Sequence, residues 1–209
     1  MENKIARFHY LTQDVISGKD HVQLAMIACK AGARWVQFRS KLLPYPELIK
    51  TATAIKKITD SIGAVLIIND HVGIAKEVMA HGVHLGKEDV KPVEARKSLG
   101  ADCIIGLTIN SEEDAMKNKN APVNYFGMGP YRYTTTKKNL SSVLRKSEIQ
   151  NILEILSPKP VIAIGGIQLE DIKDIMNAGI YGFAVSSAIN LSENLGESVK
   201  RFCEEMEDC

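Results

Sequence analysis

Short apolar runs alternate with amphipathic stretches along the chain. Runs rich in β-branched residues predict strands, and apolar positions spaced about 3.6 residues apart predict helices between them. In the second helical stretch, for example, Leu48, Ala52, Ile55 and Ile62 share one face. The predicted strands are Phe8–Leu11, Trp35–Phe38, 65–68, Gly82–Leu85, 103–107, Tyr125–Met128, Val161–Ile164 and Gly182–Val185.

Strict alternation of strands and helices predicts right-handed crossovers and a parallel sheet. Eight such units in 209 residues match a minimal closed (β/α)₈ TIM barrel, an α/β fold that we expect to form a single domain over 1–209. The competing fold, a doubly wound open sheet, calls for a glycine-rich dinucleotide turn after an early strand, and none follows Leu11 or Phe38. Glycines that precede strands support the helix ends: Gly32, Gly63, Gly82, Gly100 and Gly179.

Composition narrows the function classes. With 26 basic and 25 acidic residues the net charge is +1, which argues against general nucleic-acid or acidic-membrane binding, so any recognition of anions must be local. No apolar run suggests a signal peptide or a membrane span. The four cysteines form no CxxC pair and are interpreted as reduced thiols, so a cytoplasmic protein is expected.

Polar side chains collect where the predicted strands end. In a (β/α)₈ barrel the loops after the strands build the active site, so these residues are candidates for one shared site. The longest irregular segment, residues 129–147, also follows a strand, and a loop of this length is more often functional than idle. The candidates are Gln37, Arg39, Lys41, Asn69, Asp70, His84, Lys87, Glu88, Asp89, Thr108, Thr134, Thr136, Lys137, Gly165, Gly166, Ser186 and Ser187.

Each candidate also has a structural interpretation. Asp70 and Asp89 could only favour the starts of the helices that follow them. His84 could be a hydrogen-bonded interior residue. The run at residues 134–138 could be an ordinary polar loop, and Gly165–Gly166 only a tight turn. The shared position at strand ends is what favours function.

The residue types point to phosphate chemistry. Two carboxylates from neighbouring strands, Asp70 and Asp89, suit Mg²⁺, which takes one or two protein carboxylates and completes its shell with water and substrate phosphates. Arg39, Lys41 and Lys137 would add positive charge. A glycine turn and two serines after strands seven and eight suit a second phosphate, bound by neutral donors. A metal-assisted diphosphate site and a neutral monophosphate site together suggest transfer of a group from a diphosphate to a phosphorylated acceptor.

Several segments resemble the thiamine phosphate synthase (thiamine phosphate pyrophosphorylase) family. They are WVQFRSK at 35–41, LIINDHVGIAKEVMAHGVHLGKED at 66–89, IIGLTINSEEDA at 104–115, YFGMGPYRYTTTKK at 125–138, and PVIAIGGIQLEDIKDIMNAGIYGFAVSSAI at 160–189. Together they cover strands two to eight.

The resemblance implies a known reaction. 4-Amino-5-hydroxymethyl-2-methylpyrimidine diphosphate loses pyrophosphate through a pyrimidine-stabilised cation, with Mg²⁺ on the leaving group, and the nitrogen of hydroxyethylthiazole phosphate takes its place. It implies small-molecule partners, with no nucleic acid or membrane, and leaves a homo-oligomer open. The implied roles are metal binding for Asp70 and Asp89; pyrimidine-diphosphate contacts for Gln37, Arg39, Lys41, Asn69, Lys137 and Thr108, of which Arg39, Lys41 and Lys137 are the catalytic candidates; thiazole contacts for Thr134 and Thr136; and an acceptor-phosphate cradle for Gly166, Ser186 and Ser187.

The chain departs from the family pattern in two loops, after strand six and after strand four. Tyr133 stands where proline is common, Tyr131 and Arg132 are unusual there, and Lys87 replaces a frequent glutamine. Three alternatives stay open: a thiazole tautomerase, which is expected to carry a histidine after strand five; a non-catalytic thiamine-precursor binding protein; and another phosphate-binding barrel isomerase or aldolase.

Overall fold

A computed structural model describes residues 5–16, 18–133 and 143–207. In these ranges eight parallel strands close into one barrel in chain order, and β8 pairs with β1. The strands are β1 Phe8–Leu11, β2 Trp35–Phe38, β3 Val65–Asn69, β4 Gly82–Leu85, β5 Ile104–Ile109, β6 Tyr125–Met128, β7 Val161–Ile164 and β8 Gly182–Val185.

The predicted (β/α)₈ barrel is confirmed, and the open-sheet alternative is wrong because β1 and β8 pair directly. Most predicted strand bounds coincide with the observed ones. Two differ slightly, since β3 continues to Asn69 and β5 runs over Ile104–Ile109. Both strands therefore extend further toward the end of the barrel where the polar side chains collect.

Helices connect the strands on the outside of the barrel. Within the described ranges, no helix combines the length and the apolarity needed to cross a membrane. The helices are α1 His21–Lys30, α2 Tyr45–Ser61, α3 Val72–Glu77, α4 Pro92–Leu99, α5 Glu112–Asn118, α6 Lys146–Leu156, α7 Ile172–Asn177 (after a 3₁₀ turn at Leu169–Asp171), α8 Ser187–Asn190 and α9 Leu195–Glu207.

Apolar burial occurs in two layers. The larger core lies between the strands and the helices, where alternate strand residues such as Val36 and Ile68 meet helix residues such as Leu24 and Ile55. A smaller cluster fills the barrel interior. It comprises Ile5, Trp35, Ile67, Ile104, Tyr125 and Ile162.

Glycines on inward positions make room for the large interior side chains. A Cβ at Gly106 would lie 2.2 Å from Tyr125 and 2.6 Å from Nδ1 of His84. Gly82 was predicted to end a helix, which is wrong: it is the first residue of β4, and a Cβ there would lie 2.2 Å from the Ile104 carbonyl oxygen. The other four predicted helix-end glycines have positive φ angles, as expected.

Two further expectations need correction. Ile62 is 40% exposed, because α2 ends at Ser61 and the chain turns away from the helix face there. The irregular segment predicted over residues 129–147 extends too far, because α6 already begins at Lys146. The Glu148 carboxylate accepts a hydrogen bond from the Arg145 backbone N–H at 2.8 Å, which fixes this helix start.

Candidate active site

A chain of buried hydrogen bonds forms the floor of the site inside the barrel. The ring nitrogens of His84 are hydrogen-bonded to the Tyr125 hydroxyl and to Thr108 Oγ1, each at 2.9 Å. The Gln37 side chain reaches the same tyrosine hydroxyl. Burial raises the pKa of Tyr125, so this group stays a neutral phenol. His84 is thus a hydrogen-bonded interior residue, as its structural interpretation stated, and it orients the polar groups above it.

Two carboxylates and an ammonium group meet above this floor. The side chains of Asp70 and Asp89 lie within hydrogen-bonding reach of each other, and Lys41 Nζ donates to Asp70 Oδ2. Burial works against the charged form of Asp70, but its hydrogen bonds with Asp89 and Lys41 and the lysine charge outweigh it and lower its pKa. Burial and the neighbouring Asp70 raise the pKa of Asp89. Two carboxylates this close repel each other, and a bound cation would offset that repulsion.

The backbone directs these carboxylates into the site. Asp70 has a φ of 66°, in the left-handed region that few non-glycine residues adopt, and its N–H donates to the His84 carbonyl at 2.8 Å. Asp89 Oδ2 accepts from the Gly86 N–H at 2.7 Å. The cap residues of α3 and α4 are His71 and Lys91. Neither aspartate is therefore the N-cap of the helix that follows it.

The donor set suits a hard divalent cation with few protein ligands. Among the described residues, no group of three or more His, Cys, Asp or Glu side chains converges so that it could hold a metal. Asp70 and Asp89 offer two carboxylates, the number that Mg²⁺ commonly takes when water and substrate phosphates complete its shell. The Asp70 side chain is only 13% exposed, while that of Lys41 is 56% exposed. The pair thus fits a divalent cation that takes most of its ligands from outside the protein.

The opposite side of the barrel mouth carries neutral donors. Gly165 and Gly166, directly after β7, have φ angles of 89° and 73°. The loop after β6 is hydrogen-bonded to this turn: the Tyr131 N–H donates to the Ile164 carbonyl at 2.9 Å, and the Arg132 N–H donates to the Gly165 carbonyl at 3.0 Å. A Cβ at Gly166 would lie 2.9 Å from Arg132 Cβ, so only glycine fits there.

Two serines follow β8 at the same end. Ser186 Oγ donates to Gln13 Oε1 at 3.2 Å, which ties the end of β8 to the loop after β1. Ser187 opens the short helix α8. Together with the glycine turn, these residues present backbone N–H and hydroxyl donors without formal charge.

The structure brings several predicted residues into contact and leaves others apart. Gln37, His84 and Thr108 form the floor, and Lys41, Asp70 and Asp89 form one charged cluster. Asn69 pairs with His84 in the β3–β4 register. Across the barrel mouth, Gly166 follows β7, and Ser186 and Ser187 follow β8. Arg39 is the first residue after β2. Thr134, Thr136 and Lys137 lie outside the described residues.

Other side chains that hold the site had not been predicted. Tyr125 was assigned only as the start of a strand, yet its hydroxyl joins Gln37 to His84. Asp14 follows β1 and holds the loop that carries Arg39 and Lys41. The strand-end rule applied to β1 would have found Asp14. Asp171 lies beyond the glycine turn, and no sequence signal distinguished it.

The fold and the polar strand ends define a (β/α)₈-barrel enzyme. The family model described as thiamine monophosphate synthase matches residues 9–189. A thiamine-phosphate synthase of Phocaeicola vulgatus is 39% identical over 96% of this chain and 98% of its own length. That of Flavobacterium psychrophilum is 42% identical over 80% of this chain and 83% of its own. The solved thiamine phosphate pyrophosphorylase of Pyrococcus furiosus superposes with a TM-score of 0.86 at 26% identity, covering 97% of this chain and 96% of that one.

The chain belongs to the thiamine monophosphate synthase family. Membership makes it a transferase of thiamine biosynthesis, and the family resemblance inferred from the sequence is confirmed.

Proposed function

We propose that this enzyme joins a pyrimidine methyl diphosphate to a thiazole phosphate, forms thiamine phosphate and releases pyrophosphate, with Mg²⁺ as its cofactor. The observation that carries the proposal is the cluster of Lys41, Asp70 and Asp89 on one side of the barrel mouth, opposite the neutral turn at Gly165–Gly166. One side has the cation and the carboxylates for a diphosphate with its metal. The other has neutral donors for a monophosphate.

The bond changes balance without a protein nucleophile. The bond between the pyrimidine methylene carbon and the diphosphate oxygen breaks, and the electron pair leaves with pyrophosphate. The thiazole nitrogen supplies the pair that forms the new carbon–nitrogen bond. The chain's task is to bind and orient both substrates and to stabilise negative charge on the leaving group.

Named residues would perform these tasks. Lys41 and Arg39 would face the diphosphate, with Lys137 as a third cation. Gln37, Asn69 and Thr108 would contact the pyrimidine diphosphate. Mg²⁺ bound by Asp70 and Asp89 would supply further positive charge to the diphosphate oxygens. Thr134 and Thr136 would contact the thiazole, and Gly166, Ser186 and Ser187 would hold its phosphate.

The thiazole tautomerase alternative is less well supported. That activity is expected to place a histidine after β5, and this chain has Thr108, Ile109 and Asn110 there. Asn110 is engaged elsewhere, since its amide donates to the Gly129 carbonyl. A tautomerase would also have no use for a cluster of two carboxylates and a lysine.

The test is to incubate the purified protein with both phosphorylated heterocycles and Mg²⁺, and to identify products by mass spectrometry. We expect thiamine phosphate and pyrophosphate only when both substrates and the metal are present. Isomerised thiazole phosphate formed without the pyrimidine substrate would instead favour the tautomerase. Absence of any product would contradict the proposal.

A further inference from the structure

Two carboxylates, the partly buried Asp14 and the buried Asp171, hold the loops on the two sides of the barrel mouth. Asp14, in the loop after β1, bonds the loop that carries Arg39 and Lys41. Asp171, before α7, accepts hydrogen bonds from Arg132 in the loop after β6 and from the Gln168 N–H, two residues beyond the glycine turn. From these contacts we infer that Asp14 and Asp171 are positioning residues, one for the diphosphate half of the site and one for the acceptor-phosphate half. The assignment of the halves rests on the proposed function.

Asp14 accepts its hydrogen bonds from the loop that carries Arg39 and Lys41. Its Oδ1 accepts from Ser40 Oγ at 2.5 Å, and its Oδ2 accepts from the Lys41 N–H at 2.8 Å. His21 Nε2 lies 3.1 Å from the same Oδ1, and its other ring nitrogen is hydrogen-bonded to Thr12 Oγ1 at 2.9 Å. The carboxylate thus sits between two segments that the chain separates by more than twenty residues.

The contacts keep Asp14 charged. Burial disfavours the carboxylate, but hydrogen bonds from the Lys41 N–H, Ser40 and His21 outweigh burial and lower its pKa. A negative group near a diphosphate site would weaken anion binding if it faced the ligand. Here both of its oxygens are occupied by protein donors. Its effect on a substrate must therefore pass through the loop.

Thr12 extends the same support to the neighbouring cation. Its hydroxyl accepts from the Arg39 N–H at 3.2 Å. The backbone of both candidate cations, Arg39 and Lys41, is therefore held by side chains from the end of β1. Because Lys41 Nζ also contacts Asp70, a shift of this loop would disturb the carboxylate pair as well.

Asp171 does the corresponding work on the acceptor side. Its Oδ1 accepts from Arg132 Nε at 2.9 Å and Nη2 at 2.5 Å, and its Oδ2 accepts from the Gln168 N–H at 2.8 Å. The Asp171 side chain is 5% exposed, so its contacts are almost entirely with protein groups rather than water. Arg132 also donates its backbone N–H to Gly165. The pair therefore locks the loop after β6 against the glycine turn.

The two anchors allow a crossed experiment. Asp14→Asn and Asp171→Asn keep the size of the side chain but replace one acceptor oxygen with an NH₂ donor. That NH₂ group would face a protein donor, and the hydrogen bonds to the remaining oxygen would no longer be made to a charged group. Ser40→Ala and Arg132→Ala remove the partner instead and protect the test against misfolding of the first pair. Asp60→Asn is the matched control, because Asp60 accepts from Lys56 at 2.6 Å on α2, away from the barrel mouth.

The readouts are the KM for each substrate and inhibition by inorganic pyrophosphate. We expect Asp14→Asn to raise the pyrimidine-diphosphate KM and the pyrophosphate inhibition constant about tenfold or more, and the thiazole-phosphate KM about twofold or less. Asp171→Asn should show the reverse, and Ser40→Ala and Arg132→Ala should follow their partners with smaller shifts. Asp60→Asn should change neither KM.

Equal shifts in both KM values, or none, would overturn the inference. A wild-type protein that makes no thiamine phosphate would instead count against the proposed function. In that case calorimetry with inorganic pyrophosphate and with inorganic phosphate still tests the anchors. Weaker pyrophosphate binding by Asp14→Asn and weaker phosphate binding by Asp171→Asn would support them, and unchanged binding would refute them.

Discussion

The substitution Gly166→Ala tests the acceptor side of the site in two ways. Gly166 has a φ of 73°, where an added Cβ costs about 1–2 kcal/mol. The Cβ would also lie 2.9 Å from Arg132 Cβ and 2.9 Å from the Tyr133 carbonyl oxygen, so the backbone must shift. Overpacking of this kind costs roughly 1–3 kcal/mol more. The total of about 2–5 kcal/mol converts to a Tm loss of roughly 4–20 °C in a chain of this size.

Gly179 provides a matched control. Its φ is 79°, and an added Cβ would meet nothing within 4 Å. Gly179→Ala therefore carries only the backbone strain, with a Tm loss of roughly 2–8 °C. The difference between the Tm losses of the two variants, measured by calorimetry, gives the cost of the steric overlap with the loop after β6.

Steady-state kinetics gives the functional half of this prediction. Because the glycine turn is proposed to hold the acceptor phosphate, Gly166→Ala should raise the thiazole-phosphate KM about tenfold, the equivalent of ~1.4 kcal/mol. The pyrimidine-diphosphate KM should change little, and Gly179→Ala should change neither. Equal Tm losses in the two variants, together with unchanged KM values, would refute the reasoning.

Four further substitutions test the carboxylate pair, the floor and the interior. Asp70→Ala and Asp89→Ala should each lower kcat at least about 100-fold, because each removes a ligand of the charge-stabilising metal, and unchanged kcat in both at low Mg²⁺ would contradict the metal assignment. Tyr125→Phe removes the hydroxyl that joins Gln37 to His84 and should lower the free energy of unfolding by about 1–3 kcal/mol in urea titrations, whereas an unchanged midpoint would show that these partners find other bonds. Burial lowers the pKa of His9 from 6.5 to about 3. The contribution of His9 to stability is therefore complete above pH 6.5 and falls as the pH drops, by up to ~1.4 kcal/mol per pH unit. His9→Asn should reduce the loss of stability between pH 7 and pH 5. A loss as steep in the variant as in the wild type would argue against this role.

The barrel could be predicted because its signal repeats. Each strand is a short apolar run, and the alternation with helical patterns predicts a parallel sheet without knowledge of any contact. What failed depends on local geometry. A glycine before a strand usually ends a helix, whereas glycine is required at Gly82 because the Ile104 carbonyl of the neighbouring strand lies where a Cβ would be. Ile62 continued the apolar spacing of α2 past the residue where the helix ends.

The candidate site was predictable where residues follow strands. Asp70, Asp89 and Lys41 come together as the strand-end rule predicts, although each alone had a structural interpretation. The supporting residues were harder to find. Tyr125 lies at the start of its strand, and its hydroxyl reaches the floor because Gly106 leaves space for the ring. The bond between Arg132 and Asp171 joins two loops whose approach no sequence pattern encodes.

The central claim is that both substrates bind at one end of this barrel, on opposite sides of its mouth. A crystal structure of the protein with thiamine phosphate, pyrophosphate and Mg²⁺ tests it most directly. We predict Mg²⁺ on Asp70 and Asp89 with pyrophosphate beside Lys41, and the phosphate of thiamine phosphate on the backbone of Gly166 and Ser187. Products bound at separate places on the surface, or a metal away from both aspartates, would contradict the account.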